Sequence, residues 1–257
     1  MKITDYLDRI NYNGALAPSL EVLRALQKAH IIHIPFENLD IHYNNQINLD
    51  IDKIYHKVIS QKRGGFCYEL NGLFHTLLNK IGFNAHIISG RVYNHKKQTF
   101  GKEFDHLIIL VSLNQKKYLV DVGFGEFVFY PLELTLDKIQ TDPRGDFIIE
   151  KAHPPYYKVS KVTQKKKTVQ YIFTLQKREL HDFSEMCIYH QTDTNSNFTQ
   201  KKLITRPHES GRVTLSGNML KITEKDTVIQ TMTFLPETFG KYLKDWFGID
   251  EAALIRE

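Results

Sequence analysis

The chain has 257 residues, of which 42% are hydrophobic and 25% charged, so it can bury a large core and is too apolar to be disordered. Its formal net charge of +5 is small and scattered, which argues against a nucleic-acid-binding protein. No apolar run approaches the roughly 20 residues of a membrane span, and charges interrupt the first residues where an export signal would be apolar, so we expect a cytoplasmic protein without membrane contact.

The first third of the chain shows the periodicity of amphipathic helices. Apolar residues recur at helical spacing over residues 20–29 and again over residues 51–59, where Asp50 is a favourable N-terminal cap. The clearest pattern ends at Gly82 and consists of Leu70, Leu73, Phe74, Leu77, Leu78 and Ile81. These patterns predict a group of helices at the start of the chain.

From residue 85 the sequence changes to short runs of β-branched and aromatic residues, which are typical of antiparallel strands. The runs cover residues 85–93, 106–113, 118–122, 156–162 and 168–175. The lysine-rich segment 164–167 separates two of them, so we interpret it as a solvated hairpin turn and not as a nucleic-acid site. Short strands at 212–215 and 219–222 precede a closing helix from about residue 236 to 246. This order of elements predicts an α+β fold.

Two cysteines occur, and Cys67 is the one in a context that favours reactivity. The segment 63–69, RGGFCYE, places it in the first turn of a predicted helix, where unpaired N–H groups and the helix dipole favour an anion. Cys67 shares a helix face with Leu70, Phe74 and Leu78, so the thiol should point toward the interior. The alternative is a buried cysteine that acts as a small hydrophobic residue.

A reactive thiol needs a base and the base needs an orienting group, and His106 with Asp121 is the best pair among twelve histidines. His106 opens one apolar strand and Asp121 ends another. If the two strands form a hairpin with an even-length loop around residues 114–117, His106 and Asp121 lie on the same face of the sheet. A simple four-residue loop, however, places the two residues several positions apart along the strands, so a bulge or another register is required. Alternatively, His106 is a core imidazole and Asp121 a turn carboxylate.

A Cys-His-Asp set fits thiol proteases, transglutaminase-like enzymes and acyltransferases equally well. The segments around it resemble the signatures of the arylamine N-acetyltransferase family, in that family's order: 33–40 (HIPFENLD), 63–71 (RGGFCYELN) and 121–125 (DVGFG). Later segments agree, at residues 182–186, 205–207, 211–215 and 239–240. The resemblance therefore extends along almost the whole chain.

The resemblance implies an α+β fold in three parts, with the triad arranged as in cysteine proteinases. Residues 1–84 would form an N-terminal helical bundle that carries the nucleophile. Residues 85–200 would form a central antiparallel β-barrel that carries the histidine and the aspartate, and residues 201–257 an α/β lid. By the same resemblance, Cys67 would accept the acetyl group, His106 would form a thiolate-imidazolium pair with it, and Asp121 would orient the imidazole.

The implied reaction is a ping-pong transfer from acetyl-CoA to an arylamine, an arylhydrazine or an arylhydroxylamine. Acetyl-CoA would be the acyl-donor substrate, with no metal and no tightly bound cofactor. Phe36, Phe104 and Phe124 are candidates for an aromatic wall that binds the flat amine and excludes water. Glu37 and Arg63 are hypothesised to pair and brace the loop that carries Cys67. The competing functions are a thiol hydrolase or transglutaminase-like enzyme with the same triad, and a non-catalytic binding protein.

Two residues depart from the family's pattern. Cys187 stands where asparagine is expected after segment 182–186, and Asp105 precedes His106 where the family often has a small residue. We expect Cys187 to be a buried thiol. A carboxylate beside the histidine would raise the His106 pKa if it faced the ring. Because adjacent strand residues face opposite ways, we expect the Asp105 carboxylate instead to point outward, away from His106.

Overall fold

The computed structural model describes residues 1–164, 166–225 and 227–255, with five of the eight α-helices in the first 80 residues. The α-helices are α1 (Ile3–Arg9), α2 (Leu20–His33), α3 (Leu39–His42), α4 (Ile51–Tyr55), α5 (Cys67–Lys80), α6 (Ser184–Thr192), α7 (Asn197–Gln200) and α8 (Phe239–Phe247). A π-helical turn, His56–Ser60, continues α4, and 3-10 turns cover Leu180–Phe183, Pro236–Thr238 and Glu251–Leu254. Within these described ranges, no helix is long and apolar enough to cross a membrane.

Most strands lie in the middle of the chain and the others near its end. They are β1 (Phe36–Glu37), β2 (Asn84–Asn94), β3 (Thr99–Phe100), β4 (His106–Leu113), β5 (Lys116–Val120), β6 (Leu132–Glu133), β7 (Ile139–Asp142), β8 (Gly145–Lys151), β9 (Tyr157–Val162), β10 (Lys167–Phe173), β11 (Leu203–His208), β12 (Gly211–Ser216), β13 (Met219–Glu224) and β14 (Thr227–Thr233). The predicted turn at 164–167 connects the paired strands β9 and β10, although Lys165 lies outside the described residues.

The middle strands form one antiparallel sheet that curls into a barrel, in the order β6-β5-β4-β2-β10-β9-β8-β7, with β3 paired to β2. The later strands form a second antiparallel sheet, in the order β1-β11-β12-β13-β14. The first strand of this second sheet, β1, comes from the N-terminal helical segment, and Phe36 pairs with Thr205. The α+β architecture expected from the sequence is confirmed.

Helix α5 lies against β2 and β4 on one side and against α1 and α4 on the other. It is the helix predicted at residues 70–81, and it begins three residues earlier, at Cys67. Strand β4 is covered on both faces: Ile109 packs with the helices, whereas Leu110 packs inside the barrel. Burial on both faces explains the continuous apolar run that follows His106.

Candidate active site

Cys67 is the first residue of α5 and is 3% exposed. The loop before it lies against β1, where the Glu37 N–H donates to the Gly65 carbonyl at 2.9 Å. A Cβ atom at Gly64 would collide with the Pro35 carbonyl oxygen, so the sequence needs glycine for this close approach. The thiol therefore sits at a helix N-terminus that is fixed to a neighbouring strand.

His106 and Asp121 meet at the end of the barrel. The Nε2 atom of His106 lies 2.7 Å from Oδ2 of Asp121, and both residues are 2% exposed. The β4–β5 loop has two residues, Asn114 and Gln115, with φ of 49° and 62°, instead of the four considered from the sequence. If this register continued, Asp121 would pair with Ile108, which lies two residues from His106 on the same face of the sheet. The chain leaves the strand after Val120, so Asp121 is free of that pairing. The two-residue turn therefore brings Asp121 two residues closer to His106 along the strands than a four-residue loop would.

The imidazole of His106 is held as a cation. Burial lowers its pKa, but the charge and hydrogen bond of Asp121, together with the neighbouring Cys67 side chain, outweigh burial and raise the pKa of His106 to about 10. Because Asp121 occupies Nε2, the other ring nitrogen, Nδ1, is the one left for the thiol. At neutral pH the site holds an imidazolium beside Cys67.

Asn71 is a site residue that sequence reasoning missed. Its Nδ2 donates to Asp121 Oδ1 at 2.9 Å and to the Leu107 carbonyl at 2.7 Å, and its Oδ1 accepts the Val122 N–H at 2.8 Å. It lies one helical turn after Cys67 and is fully buried. A polar amide on the buried face of an apolar helix was the signal that could have identified it.

Gly123 lets the loop after β5 approach the nucleophile. A Cβ atom there would lie 2.7 Å from Cys67 Cα and 2.8 Å from Asn71 Nδ2. Its N–H donates to Asp121 Oδ1 at 2.9 Å. Only glycine fits between the helix and this loop.

Of the three phenylalanines predicted to form an aromatic wall, Phe36 and Phe124 lie together. They line a cavity of about 20 Å3, and the Phe124 ring centroid is 5.3 Å from that of His106. The Phe104 ring packs instead on Phe183, at 5.3 Å, and under the guanidinium of Arg178. The structure therefore brings Phe36 and Phe124 to one small cavity that Asp121 also lines, with Phe124 against His106.

Two further aromatic rings lie beside these residues and were not found from the sequence. Tyr171 packs on His106 at 5.6 Å and on Phe124 at 5.3 Å, and Phe198 lies 6.1 Å from Phe36. Both come from segments far from the signature motifs, so only the fold could reveal them.

Glu37 and Arg63 form an ion pair beneath the loop that carries Cys67. Arg63 Nη2 lies 2.7 Å from Glu37 Oε1 and 3.0 Å from Asp40 Oδ1. Lys57 Nζ extends the cluster to Asp40 at 2.7 Å and to Glu69 at 2.8 Å. The sequence pointed to the first pair and missed the three other members.

Glu69 connects this charge cluster to the nucleophile. Its Oε2 accepts the N–H of Phe66, the residue before Cys67, at 3.1 Å. Burial, with help from the charges of Asp40 and Glu37 and against the effect of Lys57, raises the pKa of Glu69 to about 7. The cluster holds three carboxylates and two cations, so one carboxylate lacks a full counter-charge.

Cys187 and Asp105, the two departures from the family's pattern, lie away from the chemistry. Cys187 is a free, buried thiol, and burial raises its pKa to about 12. The Asp105 carboxylate faces away from His106, but it is held in place and not solvated: Oδ2 accepts the Val92 N–H at 3.1 Å and Oδ1 lies 3.3 Å from His190 Nε2. The main causes of the raised pKa of His106 are Asp121 and Cys67 and not these two side chains.

The arrangement suits nucleophilic catalysis by a thiol, with a charged imidazole beside it and a buried carboxylate behind the imidazole. Over residues 1–164, 166–225 and 227–255, no group of three or more His, Cys, Asp or Glu side chains could hold a metal ion.

Comparison with known proteins places this geometry in context. A family model described as N-acetyltransferase matches residues 19–254. An arylamine N-acetyltransferase of the chicken (Gallus gallus) pineal gland, isozyme NAT-10, is 32% identical over 97% of this chain and 94% of its own length. The arylamine N-acetyltransferase of Escherichia coli is 29% identical over 98% and 94%. The structure of the enzyme from M. tuberculosis superposes with a TM-score of 0.91, at 27% identity, over 100% of this chain and 97% of that one.

Proposed function

Since this chain belongs to the arylamine N-acetyltransferase family, we propose that it transfers an acetyl group from acetyl-CoA to an arylamine, an arylhydrazine or an arylhydroxylamine, through an acetyl-cysteine at Cys67. The observation that carries the proposal is the buried 2.7 Å contact of His106 Nε2 with Asp121 Oδ2, with Cys67 at the helix N-terminus beside them. This contact supplies a charged proton donor beside a thiol at a helix N-terminus.

In the first half-reaction, the Cys67 thiolate attacks the thioester carbonyl of acetyl-CoA. The carbonyl carbon forms a bond to Cys67 sulfur, and its bond to CoA sulfur breaks. The imidazolium of His106 gives its proton to the departing CoA thiolate, so CoA leaves as a neutral thiol and the imidazole becomes neutral. The raised pKa of His106 keeps that proton available at neutral pH.

In the second half-reaction, the acceptor nitrogen attacks the acetyl-cysteine. The neutral imidazole takes the proton that the nitrogen loses, and Cys67 leaves as a thiolate. The amide product and the thiolate-imidazolium pair result. Asp121 holds the Nε2 edge of the ring throughout, so the other nitrogen keeps facing the sulfur.

The surroundings support a dry, aromatic acceptor site. Phe36 and Phe124 lie next to the triad, and Tyr171 covers another face of the imidazole. Such rings exclude water, which would otherwise hydrolyse the acetyl-cysteine, and a flat amine that stacks on them has to widen the cavity of about 20 Å3. Arg63 and Glu37 are assigned the support of the loop before Cys67, because their pair lies directly beneath it.

The test is to incubate the chain with radiolabelled acetyl-CoA and to measure label bound to denatured protein. We expect one acetyl group on the wild type, none on Cys67→Ala, and wild-type labelling of the matched control Cys187→Ala. An aromatic amine or hydrazine added afterwards should remove the label and yield labelled amide. Unlabelled wild type that cleaves amides instead would favour a thiol hydrolase or a transglutaminase-like enzyme.

A further inference from the structure

A single buried amide joins the three segments that carry the triad. Asn71 lies on α5, one turn after Cys67, and its side chain contacts the chain beside both other triad residues. It donates to the carbonyl of Leu107, the residue after His106, and it accepts the N–H of Val122, the residue after Asp121. Helix, strand and loop therefore share one connection.

The same amide reaches the chemistry through Asp121. The second Nδ2 hydrogen is donated to Asp121 Oδ1, while Asp121 Oδ2 is used by His106. Both N–H groups of Asn71 and its oxygen thus have partners, so the side chain has one satisfied orientation. A substitution at Asn71 therefore displaces Asp121 directly, and it displaces His106 through the contact of His106 with Asp121.

We propose that Asn71 is a positioning residue, which fixes the distance and orientation between Cys67 and the His106–Asp121 pair. The inference rests on the proposed function, in which these three side chains act together. No other residue type of this size supplies the same contacts: aspartate would place a carboxylate against Asp121, and leucine would leave the three partners unsatisfied in the interior.

The variants are Asn71→Ala and Asn71→Ser, with Asn79→Ala as the matched control. Asn79 lies two turns further along α5 and its amide also bonds to a strand, through Ala85, but it is far from the triad in that helix. Melting curves first establish which variants are folded at the assay temperature. Asn71→Ser is included because it keeps a polar group at the site if the alanine variant is too unstable.

Two readouts separate positioning from stability. In single-turnover experiments with labelled acetyl-CoA, we expect the acetylation rate of folded Asn71 variants to fall about 100-fold, the effect of a misplacement near 1 Å, with KM for acetyl-CoA unchanged. In an NMR titration without any substrate, we expect the pKa of His106 to fall from about 10, because its contact with Asp121 is loosened. The Asn79 control should match the wild type in both.

Each result decides. Folded Asn71→Ala or Asn71→Ser with a wild-type acetylation rate and a wild-type His106 titration would overturn the proposal. Loss of folding in both Asn71 variants, with Asn79→Ala folded, would also overturn it in favour of a purely structural role. If the wild type forms no acetyl-cysteine, the proposed function fails, and the NMR titration still tests whether Asn71 positions His106.

Discussion

The replacement Asp121→Asn should leave His106 uncharged at neutral pH. In the folded chain Asp121 is the main reason why the pKa of His106 is about 10 and not its ordinary 6.5. Without the carboxylate, burial dominates and the pKa of His106 falls below 6.5. The difference exceeds three pH units, which corresponds to roughly 4–5 kcal/mol between protonated and neutral imidazole at 1.36 kcal/mol per unit. At neutral pH the variant would hold a neutral imidazole and acetylate Cys67 slowly.

The same change has a signature in stability. A histidine with a raised folded pKa stabilises the fold fully below its unfolded pKa of 6.5, and this stabilisation is lost as pH rises toward about 10. The difference in unfolding free energy between wild type and Asp121→Asn should therefore be larger at pH 6.5 than at pH 10, by several kcal/mol, on the order of 4.

Urea unfolding at the two pH values measures this difference. The matched control is Asp142→Asn, because Asp142 is also buried but accepts only backbone N–H groups, from Phe129, Tyr130 and Arg144. The loss of unfolding free energy caused by Asp142→Asn should be similar at both pH values. A pH-independent difference for Asp121→Asn, parallel to that of the control, would refute the assignment of the raised His106 pKa to Asp121.

Three further outcomes are expected. Iodoacetamide at neutral pH should alkylate Cys67 and leave Cys187 unmodified in peptide mass spectra, because burial raises the pKa of Cys187 to about 12; equal labelling would contradict this. Arg63→Met should lower the unfolding free energy by roughly 3–5 kcal/mol in denaturant melts, since it leaves three buried carboxylates facing the single cation Lys57. The exposed control Arg24→Met, which loses only a contact over the Tyr130 ring, should change it by under about 1 kcal/mol. Gly123→Ala should reduce the acetylation rate, because the added Cβ presses on Cys67 Cα at 2.7 Å; wild-type kinetics would show that the loop can move aside.

A charge swap of Glu37 and Arg63 is not a clean test of their pairing. Arg63 also bonds to Asp40, and Glu37 Oε2 accepts the Leu39 N–H at 2.7 Å. A glutamate at position 63 would face Asp40, so the swap should fail to restore the fold even though the native pair exists. Single replacements by uncharged residues are the better measurement.

The longer helices and the position of Cys67 at a helix start were predictable because their signals are local. The helical spacing from Leu70 to Ile81 is strong, and Cys67 stands out by its place at the start of that helix. The register of β4 and β5 was not predictable, since the positive φ of Asn114 and Gln115 belongs to a two-residue turn that usually carries glycine.

The polar residues around the site escaped prediction for another reason. Lys57, Glu69 and Asn71 lie in helical sequence, where a charged or amide side chain is ordinarily on the solvent side. Here neighbouring helices and strands cover these side chains, so they are buried, and each has a polar partner in the interior. Burial of this kind depends on contacts between distant segments, which helical periodicity does not record.

The pairing of β1 with β11 sets the order in which the reactive thiol can be assembled. On one side of β1, Glu37 pairs with Ile204 of β11. On the other side, its N–H bonds to Gly65, two residues before the nucleophile. A chain emerging from the ribosome cannot complete this sandwich until residue 204 is free, long after the cysteine has been synthesised. During that interval β1 has no partner strand on that side, so the contact between β1 and the loop that carries Cys67 is not yet supported by the second sheet.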